Sequence, residues 1–336
     1  MEKQLKILFL SDTHLGEDYP IRPRSERIRR GEDLFQNFEY VLHEAKKRSV
    51  DFVVHGGDLF FRTKVHPVVV DRVYQILLDF ANSGIPIIIV PGNHESSRLP
   101  ASLLLQHPNI YIFKNPEVFL FPAKNIAFAG FPFIRGNIKE QFPEIQRDLL
   151  EQCKNTAVKL MCFHHPVEGC KVNPGNFTFR KREDTIQMND INDSFDAYLS
   201  GHIHPRQILY KSIGENKIPV IYPGSTERIS FAEKDETKGF YIITVKNQSK
   251  NKIMAEFNTL QSRPMVDIFI QNQDSLEKTI DDLVLKLSRV EKRSIIRIEA
   301  ENSHYLSQIK YSFLTSLAPE GCIISYRKNM FKKQLS

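Results

Sequence analysis

Cysteine and long apolar runs are both scarce in this chain of 336 residues. The four cysteines form no C-x-x-C pair, which argues against a disulfide framework and against a thiolate zinc site. The longest apolar run, Ile85 to Val90, is far too short to span a membrane. We therefore expect a soluble, unexported protein with reduced thiols, located in the cytoplasm and without a membrane partner.

Acidic residues are outnumbered by basic ones, and the excess is unevenly distributed. The formal net charge is +6 and the pI is about 9.0, which suits a polyanionic partner but is also common in proteins that bind none. Five arginines fall within nine residues beside a single glutamate, namely Arg22, Arg24, Arg27, Arg29 and Arg30. Because this cluster closely follows the motif Asp12-Thr13-His14, we favour phosphate contacts for it over a merely solvated face.

Apolar periodicity predicts alternating strands and helices in the first third of the chain and a β-rich middle. The elements of the first third are Leu5 to Leu10, the helix Gly31 to Arg48, Phe52 to His55, the helix Pro67 to Ala81 and Ile85 to Val90. The middle carries short strands, one helix at about Phe142 to Lys154 and a long polar loop from Gly169 to Asp193. This order predicts the α/β (α+β) class, with two sheets packed face to face between helices as an α/β/β/α sandwich.

A new pattern begins after Arg263-Pro264. It predicts a strand at Val266 to Ile270, a helix at Leu276 to Leu287, a strand at Ser294 to Ile298, a helix at Tyr305 to Leu317 and a strand at Cys322 to Tyr326. We therefore predict a large domain over residues 1–262, a small α/β domain over 263–328 and a basic tail over 329–336.

Five short polar motifs share one context, because each follows an apolar strand. They are Asp12-Thr13-His14, Gly57-Asp58, Gly92-Asn93-His94-Glu95, His164-His165-Pro166 and Gly201-His202-Ile203-His204. Each alone is more often a turn or a helix cap than a ligand. Parallel strand ends meet at one edge of a sheet, so the five can converge. Their carboxylate, amide and imidazole groups suit divalent metals such as Mn²⁺, Fe²⁺ or Zn²⁺.

The ordered set of motifs resembles the calcineurin-like metallophosphoesterase superfamily. The resemblance implies that Asp12, His14, Asp58 and His204 hold one metal ion, and that Asp58, Asn93, His164 and His202 hold a second. Asp58 would bridge the two ions, and His165 is the rival of His164. His94 would stabilise or protonate the leaving oxygen, so that the implied reaction is phosphoester hydrolysis with two divalent ions, Mn²⁺ foremost and Fe²⁺, Zn²⁺ or Mg²⁺ as alternatives.

Flanking residues resemble the SbcD branch of that superfamily, the meiotic recombination eleven repair nucleases. The stretches that carry this resemblance include His14-Leu15-Gly16, Gly57-Asp58-Leu59-Phe60 and Tyr222-Pro223-Gly224-Ser225-Thr226. It implies a DNA nuclease, exonuclease or endonuclease, in end processing and double-strand break repair, with a C-terminal DNA-binding capping domain. Phe177 and Phe179 before Arg180-Lys181-Arg182 would stack on unpaired bases, or else be alternate buried residues of a strand. A phosphodiesterase or phosphatase for small substrates and a DNA-binding scaffold with a degraded site are the alternatives.

Three features depart from the branch. Phe61 stands where the branch usually has a histidine or aspartate that is tied to exonucleolytic handling of DNA ends, so endonuclease activity is favoured. Glu95 replaces the commoner aspartate, and its longer arm should still support the site. The chain ends soon after the capping-like domain, which weakens the implied partnership with an SMC-like ATPase of the SbcC or Rad-fifty type. A homodimer is expected from the resemblance.

Overall fold

The computed structural model describes residues 4–17, 31–172, 177–178, 183–246, 252–271, 273–301 and 303–326. The described residues form two compact units. The larger runs up to Glu227 and resumes over Glu236–Gln261, whereas the smaller contains Arg228–Asp235 and the chain from Ser262 onward. No helix among the described residues is long and apolar enough to cross a membrane.

The larger unit contains fourteen strands and three α-helices among its described residues. Its strands are β1 (Leu5–Leu10), β2 (Phe52–His55), β3 (Ile87–Ile89), β4 (Ile110–Ile112), β5 (Glu117–Phe121), β6 (Ile126–Gly130), β7 (Val158–Phe163), β8 (Lys171–Val172), β9 (Phe177–Thr178), β10 (Ala197–Ser200), β11 (Gln207–Ile213), β12 (Asn216–Tyr222), β13 (Gly239–Val245) and β14 (Ile253–Thr259). The helices are α1 (Gly31–Lys47), α2 (Pro67–Ala81) and α3 (Ile138–Cys153).

Twelve of these strands form two six-stranded sheets. The first sheet has the order β14-β13-β1-β2-β3-β4, and the second has the order β11-β12-β10-β7-β6-β5. Strands β1 to β4 run parallel to one another, as do β6, β7, β10 and β12, while the remaining four pair antiparallel. The carboxyl ends of the parallel strands in each sheet therefore lie at one edge, where α/β folds place their ligands.

A hydrophobic core lies between the two sheets, because alternate strand residues point to it. Its fully buried members include Phe9, Val54 and Ile88 from the first sheet and Phe128, Leu160 and Leu199 from the second. On the other face of the second sheet, α3 buries Phe142 and Leu149 against Met161 and Tyr198. On the first sheet, Phe38 of α1 reaches His55 at the end of β2, with 6.3 Å between ring centroids. The predicted sandwich of two sheets between helices is confirmed.

The larger unit differs from the predicted elements at several places. Helix α3 begins at Ile138, not at about Phe142, because Ile138, one turn earlier, is buried in the same core as Phe142. Strand β11 was missed, since its residues are mostly half-buried at the edge of a sheet. Strand β3 begins after Pro86, which has no N–H to donate to a neighbouring strand. The predicted loop Gly169 to Asp193 contains the short antiparallel strand pair β8 and β9.

The smaller unit is a three-stranded parallel sheet with helices. Its elements are β15 (Met265–Ile270), α4 (Leu276–Leu287), β16 (Ile295–Ala300), α5 (Ser303–Leu306), α6 (Tyr311–Leu317) and β17 (Ile323–Tyr326). Ser275 caps α4, because its side chain accepts the backbone N–H of Lys278 at 3.2 Å. The prediction of a single helix over Tyr305 to Leu317 is wrong. The segment contains parts of two helices, α5 and α6, whose buried residues Leu306 and Leu314 both belong to the core of the unit. The predicted boundary at residue 263 stays a prediction.

Candidate metal centre

The loops that follow five strands bring all seven predicted ligands and His94 together. Asp12 and His14 follow β1, Asp58 follows β2, and Asn93 and His94 follow β3 in the first sheet. The second sheet contributes His164 directly after β7 and His202 and His204 after β10. Because both sheets present the carboxyl ends of their parallel strands here, residues 190 positions apart in the chain become neighbours.

Asp12, His14 and His204 form the first group of donor atoms. One donor atom of each lies within 4.8 Å of the other two. His14 Nε2 and His204 Nε2 are 3.0 Å apart. The Asp12 carboxylate accepts the backbone N–H of His202 at 3.1 Å and the Ser11 hydroxyl at 2.5 Å, so its orientation is fixed by the preceding residue and by the loop after β10.

Asp58, Asn93, His164 and His202 form the second group. His164 Nε2 is 3.3 Å from Asp58 Oδ2 and 3.1 Å from Asn93 Oδ1, while His202 Nδ1 is 2.9 Å from the same Asn93 oxygen. Asp58 also lies within 4.8 Å of His14 and His94, and of Asp12 and His164. Asp58 is therefore the side chain that the two groups share.

The donor atoms of both groups fit divalent cations. His164 Nδ1 donates to the Gly56 carbonyl at 2.7 Å, so Nε2 is the atom that faces the Asp58 and Asn93 oxygens, and a cation would take the place of the proton that Nε2 otherwise shares with them. His14 Nε2 likewise faces another imidazole nitrogen. A metal ion can bind nitrogen and oxygen lone pairs that converge with too few protons between them. This mixture of imidazole, amide and carboxylate groups suits borderline divalent metals.

His164, and not its rival His165, enters the ring of donor atoms. His165 Nε2 accepts the backbone N–H of Ile134 at 3.0 Å, and its ring stacks on Phe133 with 4.6 Å between centroids. Both histidines are fully buried, so burial does not distinguish them. They differ in the direction in which their side chains point. Successive residues of an extended segment point to opposite sides, which sends His164 to the site and His165 away from it.

Left-handed backbone conformations turn several of these residues toward the site. Asp12, His14, Asp58 and His202 have φ values of 51°, 46°, 51° and 77°. Such conformations cost free energy for residues other than glycine, and they persist only where the surrounding structure enforces them. Here that enforcement comes from backbone hydrogen bonds, among them Asp12 N–H to Gly57 O at 2.9 Å and His14 N–H to Asp58 O at 3.0 Å.

Three glycines allow the ligand loops to approach one another closely. A Cβ atom on Gly57 would lie 2.1 Å from His164 Nδ1, and one on Gly92 would lie 2.2 Å from Asp58 Oδ1. A Cβ on Gly201 would lie 2.4 Å from the Gly56 carbonyl oxygen. Glycine at these three positions is thus required by the packing of one loop on another.

Burial and neighbouring charges shift the pKa values of the ionisable ligands. Burial lowers the pKa of His14 well below its usual value, and the nearby His204 lowers it further. Burial opposes ionisation of Asp58, but the charge of His164 outweighs it and holds the Asp58 pKa far below its usual range. His164 responds in the opposite sense, since burial is outweighed by Asp58 and its pKa rises to about 9. The centre therefore favours a charged carboxylate at its middle.

Residues that are not themselves predicted ligands support the ligand loops, as was predicted for Glu95. The buried Glu95 accepts the backbone N–H groups of Phe60 at 2.6 Å and Gly92 at 2.7 Å, which ties the Asp58 loop to the Asn93 loop. Thr13 donates to the Leu59 carbonyl at 3.0 Å and is bonded to His55 Nε2 at 3.0 Å. The Thr13–His55 bond was not predicted from the sequence. The only feature of the sequence that indicates a role for Thr13 is its position between the ligands Asp12 and His14.

Two predicted nucleic-acid contacts lie outside the described residues. The cluster of Arg22, Arg24, Arg27, Arg29 and Arg30 falls in one such stretch, and Phe179 with Arg180-Lys181-Arg182 falls in another. The backbone of Phe177 belongs to strand β9. Their roles stay predictions.

Comparison with known proteins assigns the family. The family model described as calcineurin-like phosphoesterase matches residues 5–206. The DNA double-strand break repair protein Mre11 of Methanococcus maripaludis is 24% identical over 299 residues, covering 83% of this chain and 73% of that protein. The Mre11 protein of Methanocaldococcus jannaschii is 23% identical over 326 residues, covering 94% of this chain and 82% of that protein.

A third relative is much longer than this chain. The Mre11 protein of Methanosarcina acetivorans is 28% identical over 260 residues, which cover 74% of this chain and only 38% of that protein. These names agree with the branch that the motifs resemble, so the predicted resemblance is confirmed. The chain belongs to the calcineurin-like phosphoesterase family of metal-dependent hydrolases, with Mre11 repair proteins among its relatives.

Proposed function

We propose that this protein is a two-metal-dependent DNA nuclease that processes DNA ends in double-strand break repair. The observation that carries the proposal is the convergence of seven ligand side chains on two adjoining positions with Asp58 between them. Two cations in such an arrangement suit an in-line displacement at phosphorus. The names of the Mre11 relatives and the net charge of +6 support DNA as the substrate.

The ligand roles follow the two groups of donor atoms. Asp12, His14 and His204 would hold one cation, Asn93, His164 and His202 would hold the other, and Asp58 would contact both. When bound, two such cations lower the pKa of a shared water molecule and neutralise charge on the phosphate oxygens. Mn²⁺ is our first choice for this mixture of imidazole, amide and carboxylate ligands, ahead of Fe²⁺, Zn²⁺ and Mg²⁺.

His94 is oriented by two hydrogen bonds for proton transfer. Its backbone N–H donates to Asp58 Oδ1 at 2.9 Å, and its Nδ1 atom donates to the Phe61 carbonyl at 2.5 Å. A carbonyl oxygen only accepts, so Nδ1 keeps its proton and Nε2 is the atom free to exchange one. Nε2 lies 3.8 Å from Asp58 Oδ2, at the margin of the ligand ring. We assign to it the stabilisation or protonation of the leaving oxygen.

Cleavage inside a strand is the favoured activity. The Phe61 ring lies 6.0 Å from the His14 ring and 5.8 Å from the His94 ring, so the residue stands beside the ligands as an apolar group. A phenyl ring cannot hydrogen-bond the phosphate at a DNA end as a histidine or aspartate can. This supports endonuclease over exonuclease activity.

Partners and localisation extend the proposal. The C-terminal α/β unit would bind DNA as a capping domain, and the alignment with the Methanocaldococcus jannaschii protein, which covers 94% of this chain, supports its common origin. We further propose a homodimer, an SMC-like ATPase partner of the SbcC or Rad-fifty type and a cytoplasmic location.

A substrate panel tests the function. Purified protein with Mn²⁺ is incubated with circular single-stranded DNA, end-labelled duplex DNA and a small phosphodiester. We expect cleavage of the circle, lost on chelation and reduced about 100-fold or more by His94→Ala. His43→Ala, an exposed histidine on α1, is the matched control and should retain full activity. Hydrolysis of the small ester alone would reject the nuclease function and favour a small-molecule phosphodiesterase.

A further inference from the structure

A cavity of about 230 Å³ adjoins the metal centre on the side of Phe61. Its apolar walls are Leu15, Gly16, Phe61, Val65 and Val69. Leu15 directly follows the ligand His14, and Phe61 is three residues beyond the ligand Asp58. The cavity therefore begins one side chain away from the ligands, yet nothing in the two-metal chemistry requires it.

The cavity is held open by the backbone. Leu15 N–H donates to Leu59 O at 2.8 Å and Phe61 N–H donates to Leu15 O at 3.1 Å, so the two nearest walls are fixed to each other. Gly16 has a φ of +90°, and a Cβ atom there would lie 3.0 Å from Val69 Cγ1. A larger residue at Gly16 would close the space between the loop and helix α2.

Two positively charged side chains also line the cavity. Arg62 and Lys64 line the cavity and are exposed, and the Arg62 guanidinium lies 5.5 Å from the centre of the Phe61 ring. Within the part of the chain that the structure describes, neither Arg62 nor Lys64 pairs with a carboxylate. A cavity that is lined by apolar side chains and by two exposed cations is complementary to a molecule that is planar and apolar at one end and anionic at the other.

We propose that this cavity receives the unpaired base of a nucleotide that flanks the scissile phosphate. The base lies against Leu15, Phe61 and Val65, and the adjoining phosphates lie near Arg62 and Lys64. A base that is paired and stacked in a duplex cannot enter, so the cavity selects single-stranded DNA or distorted DNA. This inference rests on the proposed nuclease function and names the substrate class of that site.

Base-dependent cleavage tests the proposal. The substrate is a single-stranded oligonucleotide with one cleavable linkage, compared with the same oligonucleotide that lacks the base beside that linkage. We expect wild-type protein with Mn²⁺ to cleave the complete oligonucleotide at least ~10-fold more efficiently, because stacking of one base on an aromatic side chain strengthens binding of a single strand by about that factor. Val65→Trp, which fills the cavity, should cleave both at the slower rate.

Val68→Trp is the matched control, because Val68 is 54% exposed on the first turn of α2 and does not line the cavity. It should keep the wild-type preference. Equal cleavage of both oligonucleotides by the wild-type protein would overturn the cavity proposal alone. Failure to cleave either oligonucleotide would overturn the nuclease function and this inference with it.

A second measurement does not depend on cleavage or on a folded Val65→Trp variant. The fluorescent base 2-aminopurine is placed in turn at each position of the oligonucleotide, and binding to wild-type protein and to Phe61→Leu is followed with chelator present. The proposal expects one position whose emission changes on binding to wild-type protein and changes less with Phe61→Leu. Identical changes with both proteins at every position would overturn it.

Discussion

Two clusters in this molecule contain charged side chains but differ in how deeply these are buried. At the metal centre, Asp12, His14 and His164 are fully buried and Asp58 nearly so. On the sheet of the smaller unit, Asp267 bonds to Arg297 Nε at 2.6 Å and to Lys234 Nζ at 2.8 Å, but these side chains are 26%, 34% and 36% exposed. Water screens the second cluster and not the first, so only the first holds charges whose energy changes strongly with a bound cation.

The backbone of the two clusters differs as well. Asp267 and Arg297 lie within regular strands β15 and β16, at paired positions of a parallel ladder. Asp12, His14 and Asp58 lie just beyond strand ends in left-handed conformations. A strand interior needs no support beyond its ladder, whereas the strained loops need the surrounding packing to hold them. We therefore expect substitutions in the two clusters to differ in the size of their effects and in the property that they change.

Removing the shared carboxylate should have the largest effect. Asp58→Asn takes away the negative charge that both ligand groups share, so we expect metal-dependent hydrolysis to fall by roughly 1000-fold and Mn²⁺ affinity to fall with it. Titration calorimetry with Mn²⁺ and initial rates check this. Asp281→Asn, an exposed residue of α4, should change neither. Unchanged Mn²⁺ binding in Asp58→Asn would remove Asp58 from the centre.

Filling the space between ligand loops should have an intermediate effect. Gly57→Ala adds a Cβ atom 2.1 Å from His164 Nδ1 at a φ of +111°, so we expect about 2–4 kcal/mol lower free energy of unfolding and weaker Mn²⁺ binding. Gly84→Ala is the matched control, because Gly84 has a φ of +84° and no atom within 4 Å of the added Cβ. It should show only the smaller conformational cost. Equal losses in both variants would show that packing against His164 contributes nothing.

Breaking the partly exposed cluster around Asp267 should have the smallest effect. Burial opposes ionisation of the half-buried Asp267 carboxylate, but hydrogen bonds and charges from Arg297 and Lys234 outweigh it and lower the Asp267 pKa. Asp267→Ala should lower the free energy of unfolding by about 0.5 kcal/mol in dilute buffer and by less at high salt, with no change in hydrolysis of a small phosphodiester. Urea denaturation at two salt concentrations measures it. A loss that is large and independent of salt would contradict the comparison.

Much of the fold was predictable, because local periodicity controls which segments form strands and helices. Strand β1 and helix α2 have the predicted bounds, and the five polar motifs follow the strands that they were predicted to follow. The errors arose where the apolar pattern is weak. The first turn of α3 buries only Ile138, and the edge strand β11 has no fully buried residue, so neither shows a clear apolar period.

The sequence by itself determined which chemical groups this protein presents, since motif order and residue type select the carboxylates, amides and imidazoles at successive strand ends. Only the tertiary structure decided how these groups combine. It directs His164 into the ring and bonds His165 to Ile134, it shares Asp58 between the two groups, and it opens the cavity beside Phe61. These outcomes depend on the packing of two sheets and the approach of distant loops, and no local pattern in the chain encodes such contacts.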